Sequence, residues 1–252
     1  MEKRKGIIKA QPRPEFLPET DILQFYHRGK ISTARWPAFG PGSYVDNIGA
    51  MRQQFYHSNK FPDISFRPAT TSESISITYD NLADVEEKIL DPRWLQLGYH
   101  VLTSELVFFN PPKDFQGNPI IDKNVLKNLL NDCRKAYGIY LGNNDFSAAP
   151  YESFRQGFQE SREFAESGLA RALEHTDEKK APLLEEISSK KHYSRDVKIF
   201  GYDAVKKPVL RVFALGSDRS LDGRLYIVGD YVGGYMSGSA FGVSQTGEAI
   251  KQ

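Results

Sequence analysis

The stretch that most constrains this chain is Gly138-Ile139-Tyr140-Leu141-Gly142-Asn143-Asn144-Asp145-Phe146-Ser147, closed by Pro150 and followed by the longest helical apolar pattern in the sequence. A short apolar run, then a cluster of Asn, Asp and Ser, then a proline predicts a strand, a loop and a helix N-terminus. Such a corner offers free backbone N–H groups and polar side chains to a ligand. The helix is expected over about 150–175, because Tyr151, Phe154, Phe158, Ala165, Leu169, Ala172 and Leu173 keep one face apolar. Pro150 suits its first position, and Glu152 near the start and His175 near the end agree with the helix dipole. Gly157 and Gly168 interrupt it, each at a cost of about 1 kcal/mol relative to Ala, so close approach by another element is a reason to keep them. We read the corner as a ligand site formed by Asn143, Asn144, Asp145, Ser147 and Tyr151. Their amide, carboxylate and hydroxyl groups donate and accept hydrogen bonds or offer oxygen to a hard cation. Turn chemistry accounts for the same Asn and Asp residues, since both satisfy their own backbone in loops.

Around that corner the pattern is α+β: one domain with a mixed or mostly antiparallel sheet, the long central helix over 150–175 and a C-terminal β-hairpin region. Residues 1–20 carry Lys3, Arg4, Lys5, Lys9 and Arg13 among Pro12, Pro14 and Pro18, which predicts an extended basic arm ahead of a globular unit over 21–252. A helix is expected over Asp46–His57, where Ile48, Met51 and Phe55 fall at helical spacing, and a half-buried strand over Ser74–Tyr79, where Ile75 and Ile77 alternate with Ser and Thr. Asn81 is placed to cap a short helix. Trp94 to Phe109 reads as one or two strands, although periodicity alone does not separate these from a buried helix. Asp122 caps a helix expected to reach Tyr137, with Val125, Leu129 and the single cysteine, Cys133, on one stripe as an inert core thiol. The mixed-charge segment 176–196 holds a short helix opened by Pro182 and marks a possible boundary between sub-lobes. Strands are then expected over Val197–Tyr202, Val209–Leu215 and Arg224–Val228, with Asp222-Gly223 as a hairpin turn.

Few residues fall in patterns that carry chemistry. The histidines His27, His57, His100, His175 and His192 are widely spaced, and there is no HExxH, no GxSxG and no phosphate-loop lysine motif. The one enzymatic pattern present is nuclease-like: Asp196-Val197-Lys198 at the start of a strand, with Glu186 on a preceding helix. There Asp196 and Glu186 would hold Mg2+ and Lys198 would orient water. Ordinary surface charge explains the same residues.

Composition limits the partners. The chain has 33 Lys and Arg against 32 Asp and Glu, so no strong overall field steers it to nucleic acid or an anionic membrane. No apolar run of about 18 residues is present, and the start lacks the apolar core of a secretory signal. The expectation is a soluble, cytoplasmic chain without a membrane partner, a cofactor or a resident metal. The sequence therefore favours a non-catalytic binding or assembly module over a metal-dependent hydrolase or nuclease. Protein partners or self-association would use exposed aromatics such as Tyr231 and Tyr235 in the glycine-rich tract, and nucleic acid would be met through Lys3, Arg4 and Lys5.

Overall fold

Alternating apolar residues build two sheets in the computed structural model, which describes residues 22–53, 55–58, 61–90, 94–189, 196–218, 224–231 and 238–244. The chain opens with strands β1 (Ile22–His27), β2 (Lys30–Arg35) and β3 (Phe39–Gly42), helix α1 (Tyr44–Gln53), and strands β4 (Phe55–Ser58) and β5 (Phe61–Pro68). Helices α2 (Thr71–Asp80) and α3 (Leu82–Val85) follow, the latter running into one π-helical turn, Glu86–Leu90. Strands β6 (Trp94–Leu102) and β7 (Leu106–Phe109), helix α4 (Lys123–Leu129), and strands β8 (Arg134–Ala136), β9 (Ile139–Leu141), β10 (Ser147–Pro150) and β11 (Gly157–Glu160) come next. Helices α5 (Ser161–Ala165), α6 (Gly168–Glu174) and α7 (Pro182–Ser188) precede the last strands: β12 (Asp196–Phe200), β13 (Val209–Asp218), β14 (Arg224–Tyr231), β15 (Gly238–Ala240) and β16 (Gly242–Ser244).

Among the described residues the larger sheet has the order β11-β12-β14-β13-β6-β7-β10-β9-β8, with β15 attached at β6 and β3 paired to β15, and the smaller has the order β1-β2-β16-β5-β4. The pairing is mixed: β12 with β14 and β15 with β6 are parallel, while β13 with β14 and β13 with β6 are antiparallel. Mixed helix and sheet is therefore the architecture, as the sequence pattern implied.

The two faces of the large sheet differ in how they are covered. One face presents Leu95, Phe213, Leu215, Leu225, Ile227, Val197 and Ile199 to Ile75 and Ile77 of α2, Leu169 and Leu173 of α6, and Leu184 and Ile187 of α7. The opposite face is closed in patches only. Tyr44 and Met51 of α1 pack with Val212, Ala214 and Val228. Leu126 of α4 packs with Val101, Phe108 and Phe146.

Several expectations hold. The hairpin signal agrees with antiparallel pairing of Asp218 with Arg224, the turn residues themselves lying outside the described residues. Asp122 caps α4 through its side chain, Pro182 opens α7, and Trp94 to Phe109 forms the two strands β6 and β7.

Others fail for identifiable reasons. The half-buried strand over Ser74–Tyr79 is instead part of α2, whose residues Thr71 to Thr78 are all buried. A helix covered on every side has no polar stripe to display, and its hydroxyls find partners inside the protein: Thr71 donates to the Asn110 amide oxygen at 2.9 Å, Ser76 meets the His27 ring at 3.0 Å, and Thr78 donates to the Ser74 carbonyl at 2.8 Å. The local signal that does specify this helix is a capping box of Thr70 and Glu73, with the Glu73 carboxylate gripped by both Arg67 nitrogens at 2.6 and 2.7 Å. Asn81 precedes α3 without a side-chain cap, donating instead to the Ile77 carbonyl at 3.1 Å.

The long helix over 150–175 does not exist. Pro150 ends β10, a 3-10 turn spans Tyr151–Ser153, Gly157 takes a left-handed φ of 95°, and the chain runs as β11 before two short helices. Phe154 and Phe158 thus match helical spacing without being helical. Ser167 restarts the helix by accepting the Ala170 N–H. Gly168 is required there by close approach, because a Cβ would meet Ser153 Oγ at 2.1 Å. The helix after Asp122 likewise ends at Leu129. Cys133 follows a 3-10 turn, half-buried, with its thiol on the Leu129 carbonyl at 3.3 Å, and burial, helped by the charge of Asp132, pushes its pKa up.

Candidate functional site

The corner is a hairpin turn between β9 and β10, with Ser147 opposite Leu141 and Ala148 opposite Tyr140. Gly142 N–H donates to the Phe146 carbonyl at 2.8 Å and Phe146 N–H to the Asn143 carbonyl at 3.0 Å. Asn144 and Asp145 take left-handed φ values of 53° and 60°, which their short polar side chains tolerate better than most residues do. Asn143 and Asn144 are exposed at the tip, and Asp145 is buried.

Asp145 turns inward and joins four elements. Its carboxylate accepts from the Arg28 guanidinium, which reaches in from the left-handed turn between β1 and β2, and from Ser72 Oγ of α2 at 2.8 Å. Its carbonyl accepts from Asn110 Nδ2 at 3.0 Å. His175, in the left-handed cap of α6, places Nε2 against the carbonyls of Gly142 at 3.0 Å and Phe146 at 3.2 Å, and Nδ1 against Arg28 Nη2 at 2.9 Å. Two carbonyls on Nε2 assign the proton to that nitrogen, so Nδ1 is the acceptor for Arg28. Burial by itself would raise the Asp145 pKa and is the largest influence. The Thr70 hydroxyl, the Arg28 charge, the Ser72 hydroxyl and His175 together hold it below the ordinary carboxylate range. His175 is held low, first by burial and then by Arg28, against the opposing pull of Asp145.

This arrangement contains serine, histidine and aspartate, yet it is not a nucleophilic triad. Ser72 donates to the carboxylate rather than to the imidazole, and both imidazole nitrogens are engaged elsewhere, so no imidazole nitrogen faces the hydroxyl. The cluster works as a clasp. Ser147 is likewise committed, donating to the Ala172 carbonyl at 2.8 Å. Tyr151 lies at the far end of β10, where its hydroxyl donates to the Thr103 carbonyl at 3.1 Å. We expect Tyr151→Phe to cost about 1 kcal/mol in urea denaturation, the worth of one neutral hydrogen bond.

The nuclease-like residues are not assembled into one cleft. Glu186, on α7 over the covered face of the sheet, accepts from the Tyr79 hydroxyl at 3.0 Å. Lys198 alternates with buried Val197 and Ile199 and so occupies the opposite face. Asp196 opens β12 opposite Glu160 of β11. Among the described residues no group of three or more His, Cys, Asp or Glu is arranged to hold a metal ion. The side chain of Tyr231, and Lys3, Arg4, Lys5 and Tyr235 entirely, lie outside the described residues.

What sequence reasoning missed is a row across five strands. Phe158 of β11 pairs with Lys198 of β12, Lys198 with Tyr226 of β14, Tyr226 with Gly216 of β13, and Gly216 with Trp94 of β6. The Trp94 ring lies over Gly216, where a Cβ would meet it at 2.5 Å. The Lys198 ammonium rests 5.1 Å from the Phe158 ring, 5.7 Å from Phe200 and 5.8 Å from Tyr226. The Arg224 guanidinium lies 4.4 Å from Phe158, and Tyr226 meets Trp94 and Phe200 edge to face at 6.4 Å. Phe158 is 49% exposed, Lys198, Phe200, Arg224, Tyr226 and Trp94 are half-buried, and Gly216 is buried beneath the Trp94 ring. Lys198 makes no ion pair with a described residue. The residues come from strands that are distant in sequence, so only their registers bring them together.

No protein-family model matches the chain, and no curated protein matches it. One solved structure, described as "Accommodation of massive sequence variation in Nanoarchaeota by the C-type lectin fold", is similar to it with a TM-score of 0.48 and 16% sequence identity, over 84% of this chain and 97% of that chain. No described helix is long and apolar enough to cross a membrane.

Proposed function

We propose that this chain is a binding and assembly module that makes its protein contacts through the open face of the large sheet, where Phe158, Lys198, Tyr226 and Trp94 stand in register. The observation that carries this reading is a row of exposed Phe158 and half-buried Lys198, Tyr226 and Trp94 on a sheet whose other face lies beneath helices. Aromatic residues and Arg are the types enriched at the centres of protein interfaces, because they bury large rigid surfaces with polar or charged edges. The clasp at Asp145 supports the reading differently: it fixes the turns and helix ends on the covered side, leaving the sheet a rigid platform.

The test is site-specific photocrosslinking, with benzoylphenylalanine placed at position 158 or, as a control for exposure alone, at position 115, since Phe115 is 96% exposed in the loop between β7 and α4. Position 158 should give a discrete protein adduct that is absent from position 115. The corresponding complex, rebuilt from purified components, should be lost with Tyr226→Ala. Equal labelling from both positions, or none from 158, would refute the proposal.

A further inference from the structure

We infer that the occupant of this face is a second copy of the chain, seated about a two-fold axis near β11; this rests on the reading of the open face as a contact surface. A two-fold interface uses one patch twice, so the patch must complement itself. This one does. Phe158 and Glu160 are both exposed and stand two residues apart on β11, hence on the same side of the strand, and neither Glu160 nor Lys198 has an ion-pair partner among the described residues. Rotating a copy about an axis through β11 brings the Glu160 carboxylate of each chain toward the Lys198 ammonium of the other, while the Phe158 rings meet between them.

Two further features agree. Lys198 sits among three rings, which would exclude water from a pairing carboxylate once a partner covers them, and an ion pair gains strength as water leaves. β11 is also the terminal strand in the order of the large sheet. A sheet edge carrying an exposed aromatic is a natural place for another chain to dock. The acidic residue beside the row disfavours a phosphate backbone as the occupant, because Glu160 would repel it.

The experiment is sedimentation velocity and light scattering of the full chain up to about 100 μM, a range that detects micromolar association. The wild type should pass from 28.6 kDa toward twice that mass as concentration rises. Phe158→Asp should raise the dimer Kd at least about tenfold, the effect of losing one central contact. Lys198→Glu should do the same, and adding Glu160→Lys to Lys198→Glu should restore association, because the charges are then exchanged across the axis. Unchanged circular dichroism and Tm show that each variant remains folded. A wild type that stays at 28.6 kDa throughout overturns the inference, as does a dimer indifferent to both Phe158→Asp and Lys198→Glu. A monomer that still gives a specific adduct with another protein from position 158 removes only the second copy. Loss of both results removes the contact face itself.

Discussion

Asp145→Ala is expected to lower stability by about 3 kcal/mol, with an unchanged m-value in urea denaturation. The size follows from what the carboxylate holds. Hydrogen bonds to a charged group contribute about 1.5–3 kcal/mol, and a buried donor left without its acceptor costs a further 1–3 kcal/mol. Ser72, only 2% exposed, becomes that stranded donor. The left-handed φ of 60° adds to the loss, since Ala tolerates it less well than Asp. Arg28 is half exposed and recovers water, so it contributes least. Asp145→Asn, which keeps an acceptor and the left-handed preference, should lose clearly less. A double-mutant cycle with Arg28→Ala should show coupling, because both residues act in one network. A loss under 1 kcal/mol for Asp145→Ala would mean that the clasp does not join the β1–β2 turn to α6 in the way described.

That clasp marks how far the sequence could be read. The stretch from Gly138 to Ser147 stands out in the sequence because polar residues cluster between apolar ones, and its one carboxylate, Asp145, meets residues from four other segments. What the cluster does in the fold is clear for Asp145, which is buried, while Asn143 and Asn144 stay exposed at the tip. Turn chemistry, the competing explanation, accounts for Asn144 and Asp145 directly, and the partners that bury Asp145 come from residues 28, 72, 110 and 175, separations at which sequence carries no signal. Local signals that act within four residues were legible: the Asp122 cap, Pro182 at the start of α7, and the bounds of β6 and β7. Periodicity misled where tertiary context replaced the usual contrast between core and water. In α2 every Ser and Thr is buried, so Ile75 and Ile77 mimic a strand. Across 150–175 the apolar residues serve a 3-10 turn, an edge strand and two helices, and their regular spacing is coincidental. The aromatic row on the open face needs strand registers to exist at all.

His100→Phe is expected to remove much of the protein's acid lability. The imidazole is fully buried between Phe109, stacked at 6.0 Å, and Phe213, edge-on at 5.4 Å, with Tyr202 at 5.5 Å. Neither ring nitrogen has a hydrogen-bond partner of good geometry among the described residues. Burial first, and the charge of Arg211 second, lower its pKa from 6.5 to about 3, with the Gly229 backbone pulling weakly the other way. A depressed folded-state pKa means that the unfolded chain takes up the proton first. The stability that neutral His100 permits is therefore complete above pH 6.5 and is lost as pH falls toward 3, by about 1.4 kcal/mol per unit. His27 and His175, also held low by burial, act in the same direction. Glu174 opposes them: burial raises its pKa from 4.5 to about 7, although it accepts the Leu183 and Leu184 N–H groups, so its contribution falls as pH rises through that interval. The absolute pH profile is thus a sum of opposing slopes, and the informative quantity is the difference between variant and wild type. That difference carries any packing cost of the larger Phe ring equally at every pH. Between pH 7.5 and pH 5 it should shift by about 2 kcal/mol in favour of His100→Phe, measured by urea denaturation. If the difference is the same at both pH values, His100 takes up its proton without unfolding the chain, and the aromatic cluster around it must be open to water.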